Sequence, residues 1–135
     1  MSKNGRDNQP NLSVVSRDSV KTEDSSEQAA FTRIENISDE DRFYAYIFMS
    51  DVIEPQIHPI SGLVLNVLFR HSYGCRRNWC QISISKLKQR LGASTNTVRK
   101  HLNTLIEEGW VCVLSQSYRE ATTYGLQIPL KAAEE

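Results

Sequence analysis

The sequence predicts an α+β fold, a three-helix core closed by a C-terminal β-hairpin and preceded by a disordered N-terminal tail. Two short amphipathic segments, 84–91 and 95–108, follow one another across a turn that holds Gly92. Two β-prone runs, 110–114 and 122–128, come directly after them. The 135 residues leave room for one ordinary domain plus a tail, and not for two independent cores.

The tail is expected over residues 1–36. It is rich in Ser, Asn, Gln, Asp, Glu and Lys, with only scattered Leu12, Val14, Val15, Val20, Phe31 and Ile34 to bury. Burial on that scale does not offset the entropy of ordering the chain. Residues 37–55 form a further element. Ser38 can cap a helix whose first turn holds Asp39, Glu40 and Asp41, where the helix dipole favours acids. The run 43–49 is β-prone by composition, yet Phe43 with Ile47 and Tyr46 with Met49 sit at helical spacing, so it reads as helix or strand, with helix preferred. Its aromatics need a partner, which makes this segment a candidate dimerisation element.

The main domain spans residues 56–130. After Pro55 and Pro59, the positions Ile60, Leu63, Val64, Val67, Leu68 and His71 recur at helical spacing, with Leu65 and Phe69 widening the same face. A loop with Gly74 and a short strand over 79–82 follow. Ser83 can cap the next helix, in which Ile84, Leu87 and Leu91 share a side, and Gly92 frees the backbone to stop it. Ser94 can cap a third, whose buried stripe is Val98, Leu102, Leu105 and Ile106 and which ends at Gly109.

Net charge is zero, but the charges are sorted along the chain. Residues 1–54 carry eleven acidic and six basic side chains, and residues 107–135 carry five and two. Residues 55–106 contain no Asp or Glu, and carry Arg70, Arg76, Arg77, Lys86, Lys88, Arg90, Arg99 and Lys100. A solvated surface normally mixes both signs, so a block of 52 residues without a carboxylate reads as a face for a polyanion.

No membrane span or secretory signal is evident, and Cys75, Cys80 and Cys112 are too few for a disulfide framework, so a cytosolic protein is expected. His71, Cys75, Cys80 and Cys112 lack the paired spacing of a zinc site; Cys80 and Cys112 are expected as small buried thiols in neighbouring strands, and Cys75 in an exposed loop. His58 is read as a helix-start residue and His101 as a helix-surface or edge residue. There is no phosphate-binding glycine loop, metal motif or nucleophile elbow, so neither catalysis nor a cofactor is expected.

Ile82, Ser83, Leu87, Leu91, Gly92, Ser94, Thr97, Val98, His101, Leu102, Leu105, Gly109, Trp110 and Val111 fall at the spacing of a helix-turn-helix followed by a hairpin. On these residues the chain, from about Pro59 to Ile128, resembles the winged helix-turn-helix families of bacterial and mobile-element regulators and replication proteins. The resemblance implies that the helix from Thr95 enters the major groove of double-stranded DNA. Asn96 and Arg99 are then the candidates for reading base edges. Ser94, Thr95 and Thr97 would bond phosphates, with Lys100 and Asn103 on the same face. Lys86, Lys88 and Arg90 would add phosphate contacts, and Arg119 near the hairpin tip would reach the minor groove. Arg76 and Arg77, in the same carboxylate-free block, complete the candidate DNA-binding set. The implied role is a sequence-specific transcriptional regulator acting as a homodimer, because one such domain covers a short site. A plasmid or phage replication or partition protein, and a protein-interaction module on the same fold, are the alternatives.

Overall fold

A computed structural model of the chain describes residues 31–116 and 121–130. Every described helix and strand belongs to the unit Arg33–Glu135. The tail expectation therefore falls mostly outside the described residues. Its last stretch does not. Ile34 N–H donates to Asn78 Oδ1 at 2.8 Å, Asn78 N–H donates back to the Ile34 carbonyl at 3.2 Å, and Ile37, 3% exposed, enters the core. Composition sets the expected boundary after Asn36, and composition cannot register pairing with a residue 44 positions away.

The segment whose sequence admits helix or strand is a helix, α1 (Asp39–Phe48). Ser38 caps it, its hydroxyl accepting from Asp41 N–H at 3.1 Å, with Asp39, Glu40 and Asp41 in the first turn. It runs on through a π-helical turn, Met49–Ile53, and a 3-10 turn, Glu54–Gln56. Ala45, Met49 and Ile53 recur every four residues and are fully buried. The aromatic run therefore supplies only one buried line, and Phe43, Tyr46 and Ile47 stay exposed.

Helix α2 (Pro59–His71) begins with His58 as its cap, Nδ1 accepting from Ile60 N–H at 3.0 Å, and with Pro59 where a missing N–H costs nothing. Its core face is Ser61, Gly62, Val64, Leu65, Val67, Leu68 and Phe69. Leu63, expected on that face, is 56% exposed. Periodicity admits several overlapping stripes in so apolar a helix, and Ser61, whose oxygen lies 3.0 Å from His101 Nδ1, marks the side where α4 packs.

After a 3-10 turn, Tyr73–Cys75, the chain enters β1 (Trp79–Ile82), then α3 (Ile84–Leu91), α4 (Thr95–Glu107), β2 (Val111–Ser115) and β3 (Thr122–Leu126). The three strands form one antiparallel sheet in the order β1-β3-β2. Trp79 stands opposite Gly125 and Ile82 opposite Thr122, and β2 carries an irregularity between Val113 and Ser115. Contrary to expectation, Cys80 and Cys112 are not on adjacent strands: β3 runs between them, with Tyr124 beside Cys80 and Gly125 beside Cys112.

One core joins helices and sheet, with Leu65, Leu68, Leu87, Leu105, Val111 and Leu126 at most 1% exposed. Buried Tyr73 donates its hydroxyl to the Ile128 carbonyl at 2.8 Å and stacks flat on Phe69, tying the segment after β3 to the end of α2. Among the described residues no helix is long and apolar enough to cross a membrane.

Candidate nucleic-acid interface

The α3-turn-α4 unit follows from local chemistry. Ser83 caps α3, accepting from Lys86 N–H at 3.0 Å, and Ser94 caps α4, accepting from Thr97 N–H at 3.2 Å. Between them Gly92 stands at φ +66°, a left-handed conformation that side chains disfavour, and its N–H closes α3 on the Lys88 carbonyl at 2.7 Å. Leu87 on α3 and Val98, His101, Leu102 and Leu105 on α4 turn into the core. Burial of that stripe fixes the opposite side outward. Lys86, Lys88 and Arg90 on α3, and Asn96, Arg99, Lys100 and Asn103 on α4, are all exposed.

Among the described residues Lys86, Lys88, Arg99 and Lys100 make no ion pair. Arg90 lies 3.3 Å from His71 Nε2. His71 is held below its ordinary pKa, first by burial and then by the charges of Arg90, Lys86 and Arg70. Basic side chains thus gather around His71, and residues 55–106 hold no carboxylate to offset them. Thr95 and Thr97 are half-buried, and the Ser94 hydroxyl, besides capping, donates to Thr97 Oγ1 at 3.0 Å. Arg119 lies outside the described residues.

Arg76 and Arg77 are held by their own neighbours. Arg76, itself at φ +68°, donates to the Ile37 carbonyl at 3.1 Å and pairs with Asp39 at 2.7 Å, while Arg42 pairs with the same carboxylate at 2.9 Å. Arg77 donates to the Trp79 carbonyl and lies 4.4 Å from the centre of the Trp79 ring, with Arg33 at 4.8 Å from that centre. The indole N–H of Trp79 is buried without a hydrogen-bond partner among the described residues.

A groove of about 230 Å³ runs between α4 and the β2–β3 hairpin. Leu102, Ile106, Ile84 and Val113 give it an apolar lining, and Arg99, Asn103 and Gln116 a polar one. Thr122 and Tyr124 close the strand side. Tyr124 is 4% exposed, and burial raises its pKa, opposed by a hydrogen bond with the Thr122 side chain and by the charge of Arg99. Sequence reasoning puts Arg99 and Asn103 on the outer face, but it has no signal for Gln116, which only the hairpin brings opposite them.

His101 corrects the expectation of a surface or edge residue. It is 7% exposed, its Nδ1 is 3.0 Å from the oxygen of fully buried Ser61, and its ring lies 4.6 Å from that of His58. The available signal is its position three residues after Val98 and four before Leu105, within the apolar stripe. Burial lowers its pKa, and the charges of His58 and Lys100 lower it further. Cys75 is exposed as expected; burial pushes Cys80 up to about 12 and Cys112 up to about 11, which keeps both as thiols. Among the described residues no three His, Cys, Asp or Glu side chains gather as metal ligands.

Phe43, Tyr46, Ile47 and Val52 are 66, 47, 38 and 41% exposed along α1 and its continuation. No protein-family model, curated protein or solved structure matches the chain.

Proposed function

We propose that the chain is a winged helix-turn-helix protein that binds double-stranded DNA in a sequence-specific manner as a transcriptional regulator. The observation that carries this reading is the outward face of the α3-α4 unit, where four cations without an ion-pair partner among the described residues stand in a block free of carboxylates. The element order helix, strand, helix, helix and hairpin, with its three-stranded antiparallel sheet, supports the fold part.

In this reading α4 lies in the major groove. Asn96 and Arg99 meet base edges, where an amide matches adenine and a guanidinium matches guanine bidentately. Lys86, Lys88 and Lys100 meet phosphates, and the first turn of α4 offers free backbone N–H groups to another. Arg76 and Arg77 contribute field rather than contacts, because their guanidinium groups are already engaged. Selective binding uses two copies joined through the exposed side of α1, which presents Phe43, Tyr46 and Ile47.

Fragments selected from genomic DNA, followed by titration of the best duplex at several salt concentrations, test the reading. Each phosphate contact releases counterions, so four or five contacts lower affinity by roughly two orders of magnitude between about 50 and 200 mM salt. A flat salt response, or selection that enriches no sequence, refutes it. Sedimentation of the Phe43→Glu protein tests the pairing: it should be a monomer that binds the selected duplex more weakly.

A further inference from the structure

The groove between α4 and the β2–β3 hairpin combines three unengaged polar side chains with an aliphatic lining. Among the described residues Arg99, Asn103 and Gln116 form no side-chain hydrogen bond or ion pair, and no acidic side chain lines the space. Ile84, Leu102, Ile106 and Val113 line the remainder. A DNA phosphate uses the guanidinium alone, whereas Ile84, Ile106 and Val113, packed on the core around buried Leu102, leave part of their aliphatic surface open beside it. A guanidinium fork beside an apolar lining matches a carboxylate that carries a compact apolar body: the fork binds both oxygens, the two amides orient any further polar atom, and the aliphatic side chains take the rest. At about 230 Å³ the space suits a molecule smaller than those filling ordinary ligand pockets, which start near roughly 300 Å³.

We propose that this groove binds a small organic monocarboxylate with a compact apolar body, and that the bound molecule withdraws Arg99 from DNA. The site stands on the groove's own chemistry; the competition rests on the DNA reading above.

The experiment uses the full chain, labelled with ¹⁵N and titrated with benzoate, with benzamide and inorganic phosphate as controls. Benzoate should shift the resonances of Asn103, Gln116, Val113 and Thr122 in a saturable way. Benzamide, without the charge, and phosphate, without the apolar body, should bind about tenfold or more weaker. Arg99→Gln should weaken benzoate by about tenfold or more, since a hydrogen bond to a charged group has been lost. Val113→Trp, which fills the groove, should abolish the shifts. The absence of saturable shifts with benzoate, equal binding by Arg99→Gln, or phosphate binding as well as benzoate overturns the site. In a second arm, saturating benzoate should weaken the selected duplex in the unmodified chain. Duplex affinity unchanged by benzoate overturns the competition, whereas benzoate binding by a chain that binds no duplex supports the site and refutes the DNA reading instead.

Discussion

Lowering the pH should destabilise the domain through His101, a titratable side chain placed where a charge is poorly accommodated. It is 7% exposed, within hydrogen-bond distance of the Ser61 oxygen, and flanked by His58 and Lys100, with no carboxylate among the charges that shift it. Burial first, then its basic neighbours His58 and Lys100, place its pKa in the folded chain below 6.5. The unfolded chain therefore takes up the proton first. Stability is fully present above pH 6.5 and declines as the pH falls below it, towards the lower folded value. For one histidine the slope is at most about 1.4 kcal/mol per pH unit, so the loss between about pH 7.5 and 5.5 cannot exceed about 1.4 kcal/mol. Against a total of roughly 5–15 kcal/mol that is readily measured. Urea unfolding at closely spaced pH values, run on the natural chain and on His101→Gln, is the assay. Gln keeps a polar partner for Ser61 but does not titrate, so the profile should flatten by the His101 share. Identical pH profiles for the two proteins would refute the argument, as would greater stability of the natural chain at the acid end.

Tyr73→Phe removes the donor to the buried Ile128 carbonyl without changing ring packing, and should cost about 1–3 kcal/mol in urea unfolding. Gly92→Ala places a side chain at φ +66°, where space is open but the backbone is strained, and thermal unfolding should show a loss of about 1–2 kcal/mol. In the DNA reading, Arg99→Ala should cost about 1–3 kcal/mol on the selected duplex and relax preference at one base pair; Lys86→Ala should weaken selected and scrambled duplexes alike, and competition binding separates the two patterns.

What can be read from the sequence is what local chemistry decides. Ser83, Gly92 and Ser94 set the ends of α3 and α4 through bonds three or four residues long, and both helices start where those residues place them. The apolar stripe of α4 likewise locates its outward face, where the basic residues stand. What cannot be read depends on which element lies alongside. Leu63 follows an apolar stripe as good as its neighbours', yet only the packing of α4 beside Ser61 decides that the other stripe is buried. Residues 34–36 read as the end of a tail, and their order comes from partners far along the chain rather than from their own composition. Asn78 bonds Ile34 in both directions, and the Arg76 carbonyl accepts the Ile37 N–H at 2.9 Å. The groove is illegible for the same reason, since Gln116 meets Arg99 and Asn103 only once the hairpin has folded against α4.

The strand order has a consequence for how the chain comes to be folded as it is made. β3, the last of the described strands, is the middle strand of the sheet, so β1 and β2 share no hydrogen-bonded edge and both wait for residues 122–126. During synthesis the helical segments can form early, since their bonds span only a few residues, but β1 stays an open edge until its partner, forty or more positions later, has left the ribosome. An open edge is a template for pairing with another chain. A nascent or prematurely terminated chain that stops before Thr122 therefore exposes two unpaired strands, and such products should be cleared or aggregate rather than persist as shorter working proteins.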